Sequence, residues 1–222
     1  MRDFFNTDNR LMKVLSKLFD IGYLSIVFIL FCIPVVTIGA ALTALYYTTV
    51  KVIRRERGYV FHEFWRSFRL NFFSATKMWL IELVIIVVML FNITTVMEGT
   101  TKTSGYMLGA YIVMSLIVYA VSCYVYPVLS RFVMKNTQIV RMSLYLAAKH
   151  IYFTVPLIIV SAAAIVSVFL LIPYMPIIPI LVPGLASLLY SYMMEIVLKK
   201  YTNKGDSETG EDGAPVDDWY NE

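Results

Sequence analysis

Glu82, Asn92 and Glu195 fall within or at the ends of long apolar stretches of this chain. Charged and strongly polar groups at bilayer depth are costly, and proton relays, ion sites and substrate contacts are built from them. Glu82 follows Lys77 by five residues, about one and a half helical turns, with Trp79 at the expected aromatic belt. It can reach an interface or bond a neighbouring helix, whereas Asn92 lies about three turns deeper. Glu195 precedes Lys199 by four residues, the favourable spacing for a helical ion pair, which points to a structural role.

The constellations of soluble catalysis are missing. His62 and His150 are isolated, and no set of Cys, His and carboxylate has metal-ligand spacing. The chain contains no P-loop, GxGxxG, GxSxG or HExxH. Neither an enzymatic activity nor a cofactor is expected. The segment PVVTIGAALTA, from Pro34 to Ala44, instead concentrates small and hydroxyl residues. Gly39 with Thr43 and Ala40 with Ala44 are small-xxx-small pairs that let helix backbones approach. Pro34, Thr37, Gly39, Thr43, Glu82 and Asn92 are therefore candidates for close helix packing or, alternatively, for lining a substrate path beside a broken helix.

The elements that must hold these residues are membrane helices. Of 222 residues, 59% are hydrophobic and 15% charged, against about a quarter charged in a soluble domain. Mean hydropathy is +0.71. Residues 21–50, 103–130 and 151–194 contain no Asp, Glu, Lys, Arg or His, and about 20 apolar residues suffice to cross a bilayer. The last of these runs must turn back, and Pro173, Pro176 and Pro179 mark the turn. Lys and Arg placement divides the first. Four lie in the N-terminal segment, seven in residues 51–77, four in residues 131–150, three after residue 198, and Lys102 stands alone. If residues 21–50 form a hairpin broken at Pro34, every one except Lys102 lies on the cytoplasmic side.

The fold class is thus an all-α polytopic transmembrane bundle of about six spans, near 20–34, 35–52, 78–97, 105–130, 151–172 and 176–198. Both termini are cytoplasmic, in the cell membrane. Residues 1–204 form the transmembrane domain. Residues 205–222 carry seven acidic and no basic side chains and read as a disordered cytoplasmic tail. Leu11, Leu15 and Leu18 make an interfacial stripe, and Lys51, Arg54 and Arg55 are placed to snorkel to headgroups. In the long loop, Phe61, Phe64, Trp65, Phe68 and Phe72 recur at helical spacing beside Arg66 and Arg69. That pattern suits either a helix lying in the headgroup layer or a docking surface for a cytoplasmic partner.

Cys32-Ile-Pro-Val-Val-Thr-Ile-Gly39, then Thr43-Ala-Leu-Tyr46, Phe64, Asn71-Phe72 and Ala75, resemble the YesL-like family of bacterial membrane proteins, a domain of unknown function. Tyr126-Pro127, Arg131-Phe132 and Ala147 to His150 resemble it too, so the likeness runs to about Leu198. Pro34, Thr37, Gly39 and Asn71 match the family pattern, which adds Asn71 to the candidate residues. The resemblance implies no catalytic residue. Because members accompany carbohydrate-uptake systems of the ATP-binding-cassette type, it implies an accessory role. The expected partners are the lipid bilayer and a sugar-transporter permease or other membrane protein, with no nucleic acid. A small transporter or channel is the alternative.

Overall fold

The computed structural model describes residues 10–98, 102–132, 134–171 and 177–205. Seven α-helices follow one another: α1 (Arg10–Cys32), α2 (Ile38–Thr48), α3 (Val60–Glu98), α4 (Lys102–Arg131), α5 (Asn136–Lys149), α6 (Ile151–Leu171) and α7 (Ile177–Gly205). Six helical stretches are long and apolar enough to cross a membrane: Val14–Cys32, Val35–Arg54, Val60–Met97, Gly105–Arg131, Ile151–Val168 and Pro179–Tyr201. The described residues form no strand. The acidic segment expected from residue 205 onward lies outside the described residues, apart from Gly205 itself.

The hairpin breaks where the sequence places the break. Pro34 has no amide proton, and α1 ends at Cys32. A short 3-10 turn, Val35–Thr37, leads into α2. Thr37 Oγ1 lies 2.6 Å from the Phe31 carbonyl and 2.7 Å from that of Pro34. One hydroxyl proton thus serves the Phe31 carbonyl, which the end of α1 leaves open, and the Pro34 carbonyl, which also accepts the Thr37 amide at 3.0 Å. Downstream, α2 continues without interruption into a π-helical segment, Thr49–Arg54.

Around α2 the bundle is densest. It packs chiefly on α3 and also touches α1, α4 and α7. Every residue from Gly39 to Ile53 is buried except the half-buried Leu42. Small side chains make this possible. A Cβ at Gly39 would sit 2.6 Å from Trp79 Cβ and 2.7 Å from the Ala75 carbonyl oxygen, so the α2 and α3 backbones touch where any larger residue would part them.

The extent of α3 corrects the sequence reading. Residues 51–77 are not a loop with a separate interfacial helix, because Val60–Glu98 is one helix of 39 residues, about 58 Å long. No Gly or Pro occurs inside it. Its first half packs along the hairpin, and only its second half corresponds to the expected third span. Phe31, at the end of α1, meets Phe64, Trp65 and Phe68 at ring separations of 5.3, 5.7 and 4.9 Å. Trp79 Nε1 donates to the Val35 carbonyl at 2.7 Å. The Pro34 turn therefore packs directly on α3 between Phe64 and Trp79.

Candidate functional site

The polar side chains of the bundle converge on the end of α2 and the π-helical segment that continues it. An α-helix widened to a π turn displaces its side chains by part of a turn, and such segments recur at functional positions. Here successive polar residues reach two neighbouring helices, α3 and α7. Lys51 Nζ is 2.9 Å from Glu63 Oε2 of α3 and donates to Tyr47 Oη at 3.2 Å. Thr49 Oγ1 and Ser187 Oγ of α7 are hydrogen-bonded at 2.6 Å. Arg54 donates to the Ser191 carbonyl at 3.0 Å, with its guanidinium 4.3 Å from the centre of the Tyr192 ring.

Beside this segment, Glu195 of α7 collects two donors. Arg131 Nη1, at the end of α4, lies 3.2 Å away, and Tyr46 Oη of α2 lies 3.1 Å away. Both charged side chains are almost fully excluded from solvent, at 1% and 3% exposure. One buried ion pair thus ties the end of α2 to α3 and the other ties α4 to α7, with Tyr46 of α2 donating into the second. Such a pair adds little net stability over an apolar substitute, but loss of one partner strands an uncompensated charge.

These pairs revise two sequence expectations. Lys51 and Arg54 do not snorkel to headgroups, since each turns inward to a partner on another helix. Glu195 does not take Lys199, four residues on, as its partner. Lys199 is exposed, and the carboxylate faces Arg131, which lies 64 residues earlier. Lys51, Glu63, Arg131 and Tyr46 were not singled out as site residues. No local pattern joins them, and Glu63 follows Lys51 across the turn at residues 55–59.

The candidate packing residues divide into those at the hairpin and those elsewhere. Gly39 lies against Ala75 and Trp79, whereas Pro34 and Thr37 face Trp65, Phe68 and Phe72 across a concavity. Thr43 Oγ1 donates to the Gly39 carbonyl at 3.0 Å. Asn71 and Asn92 likewise donate within α3, to Ser67 at 3.1 Å and to Val88 at 2.8 Å. Such bonds to the preceding turn satisfy the donor locally. Glu82 accepts from Tyr126 Oη of α4 at 2.6 Å, the neighbouring-helix bond the sequence allowed. Asn92 stands more than two turns beyond Glu82 on α3 and does not join the cluster.

The aromatic stripe also divides. Phe64 and Phe68 are buried against Phe31, so the docking surface read from the sequence reduces to Phe61, Trp65, Arg66 and Arg69. Two concavities meet at Trp65. One, of about 470 Å³, is framed by Leu30, Phe31 and Pro34 of the hairpin and by Trp65, Phe68 and Phe72. The other, of about 460 Å³, is framed by His62, Trp65, Arg66, Arg69 and Leu70.

Away from this region, in the short connection between α5 and α6, His150 Nε2 and Tyr201 Oη are 2.9 Å apart. Partial burial, and then the charges of Lys200 and Lys149, hold the imidazole below its ordinary value of 6.5. Cys32 and Cys123 are both free thiols.

The hairpin and the whole of its α3 partner surface fall within one recognised unit. A DUF624 domain, described as a protein of unknown function, spans residues 21–93. Neither a curated protein nor a solved structure matches the chain. The domain takes in Lys51, Glu63, Gly39 and Trp79, while Arg131 and Glu195 lie outside it.

Proposed function

We propose that this chain is a YesL-like bacterial accessory protein of the cell membrane, with both termini cytoplasmic. In this reading it has no enzymatic activity and assists a carbohydrate-uptake system of the ATP-binding-cassette type. Its partner is the sugar-transporter permease or another membrane protein of the same system. One observation carries the reading: the charges buried around α2 are engaged in Lys51–Glu63 and Arg131–Glu195, which fasten helices to one another. A carrier needs ionisable groups that exchange partners as a path opens, and a scaffold needs pairs that stay. The family likeness supplies the association with sugar uptake.

Deletion of the gene should impair uptake of one sugar class while the cognate permease remains in the membrane at its normal level. Restoration by the full chain, and not by an Arg131→Met variant, would support a scaffold role. Unchanged uptake would remove it.

A second reading, a small transporter or channel, draws on the π-helical segment Thr49–Arg54 with its buried lysine. Purified protein that moves solute into liposomes unaided would establish that reading in place of the first.

A further inference from the structure

Helix α5 buries Ile139, Ser143, Leu146 and Ala147 and turns a mixed surface outward. Arg141 and Lys149 are exposed on it, eight residues and about 12 Å apart along the helix. Between them stand Leu144 and Tyr145, each 51% exposed. The end of α7 extends this face. The Tyr201 ring meets that of Tyr145 at 6.2 Å, and the Lys149 ammonium lies 4.9 and 5.6 Å from the centres of the two rings. Lys199 and Lys200 are exposed in the same turn of α7 as Tyr201. Lys149 donates to the Tyr145 hydroxyl, a neutral partner that leaves its charge in place. From Lys102 to Gly205, through α4, α5, α6 and α7, the sequence holds one acidic residue, Glu195, and it is buried against Arg131.

The sequence beyond Gly205 has the opposite sign. Residues 206–222 carry seven acidic side chains and no basic one. Asp218, Trp219, Tyr220 and Glu222 repeat the order found on α5 with the charge inverted: an anion, two aromatic rings, and a second anion four residues on. Extended, those four residues span at most about 14 Å, which matches the separation of Arg141 and Lys149. The segment also starts in the right place, because Gly205 follows Tyr201 by about one turn and Tyr201 already touches α5. Residues 206–217 can bridge up to about 40 Å.

We propose that residues 206–222 dock on this face of their own chain, with Asp218 and Glu222 beside Arg141 and Lys149 and with Trp219 and Tyr220 on Leu144 and Tyr145. The tether holds the segment at an effective concentration on the order of millimolar, so individually weak surface pairs suffice. Another acidic partner then reaches α5 only by displacing it. The docking does not depend on the accessory role proposed above.

The test uses the unaltered full chain in a neutral detergent, treated with a water-soluble carbodiimide that joins carboxylates to lysine amines, with the linked peptides read by mass spectrometry. Lys199 and Lys200 lie close to the tether and are within its reach in any case, so Lys149 is the informative site. Links from Asp217, Asp218 or Glu222 to Lys149 should form within single chains. Their yield should fall severalfold in about 1 M salt, where the screening length is about 3 Å. Arg141→Glu, which leaves every reactive lysine in place, should lower the yield by about fivefold, the upper end for one exposed ion pair. Trp219→Ala with Tyr220→Ala should lower it severalfold as well. The salt titration is made on the unaltered chain and decides the matter even if a variant fails to fold.

A Lys149 yield indifferent to salt, or to Arg141→Glu in folded protein, would overturn the proposal, since a tether alone would then explain it. So would an unchanged yield without the two aromatic rings, because Leu144 and Tyr145 would be uncovered. In a mixture of isotopically labelled and unlabelled chains, links joining the two masses would assign the segment to a second copy. Loss of the Lys149 links in vesicles containing phosphatidylglycerol would assign the face to anionic lipid. Either result refutes docking within the chain.

Discussion

The hairpin helix α2 and the second half of α3 are both apolar enough to lie in a membrane, yet they use that property in opposite ways. In the most apolar window of Val35–Arg54, 78% of residues are buried inside the protein; in that of Val60–Met97, none are. Their side chains explain the difference. Gly39, Ala40, Ala41 and Ala44 leave α2 thin, so neighbouring backbones close around it and its hydroxyls and charges find partners. Residues 80–97 are dominated by Ile, Val, Leu and Met, which present a broad hydrocarbon surface suited to lipid. Hydropathy reports transfer out of water, which both segments undergo. Residue size decides whether protein or lipid receives them.

The largest effect should come from the buried ion pair between α4 and α7 beside α2. Arg131→Met, by leaving Glu195 buried without its cation, should destabilise the bundle by about 3–5 kcal/mol, read as a drop in the temperature at which detergent-solubilised protein loses its monodisperse peak. Adding Glu195→Leu should recover most of the loss. If the double variant is no better than the single, the pair is not the source of the effect.

The contrast in packing is sharpened by adding bulk at matched apolar positions. Gly39→Leu forces atoms into the Trp79 and Ala75 contact and should cost about 1–3 kcal/mol, at the upper end of that range. Val87→Leu, at a site 55% exposed, should change stability by no more than about 0.5 kcal/mol. Equal responses would break the distinction between a protein-facing and a lipid-facing helix.

Within the second region, Glu82 is joined to Tyr126. Tyr126→Phe should cost about 0.6 kcal/mol, the average for a hydrogen bond between membrane helices, measured by the same thermal assay. A loss as large as that of Arg131→Met would place Glu82 in the buried polar cluster rather than beside it.

The smallest effect lies outside both regions. Because the folded state holds His150 below its ordinary value of 6.5, the unfolded chain takes up the proton first on acidification. Stability should be full above about pH 6.5 and decline as pH falls through the interval down to the folded value. His150→Gln, which cannot titrate, should flatten this part of a stability-against-pH curve.

Much of the architecture is legible in the sequence because it rests on length and local chemistry. Runs without charge mark the spans, Pro34 marks the break in the hairpin, and the spacing of Gly39 and Thr43 signals a close approach that the Ala75 and Trp79 contacts explain. The errors arise where partners are distant in the chain. The four-residue rule assigns Glu195 to Lys199, whereas tertiary folding brings Arg131 from α4. The period of the Phe stripe is visible, but nothing local identifies Phe31 as what it packs against. For α3 a usable signal exists: no Gly or Pro interrupts residues 60–98, so helicity continues through the change in charge near Lys77.

The position of Glu195 on α7, far along the chain from its partners, has a consequence for how the molecule is made. A chain emerging from the ribosome exposes α2 early, with Lys51 and two threonines ahead of it, and Glu63 is the first partner to arrive. Arg131 follows much later, and Ser187, Ser191 and Glu195 later still. Until α7 enters the membrane, Arg131 and Tyr46 lack the carboxylate they share, and Thr49 and Arg54 lack their α7 acceptors. Insertion of α7 thereby completes the polar core, and a chain cut short before α7 would leave that polar surface unfinished.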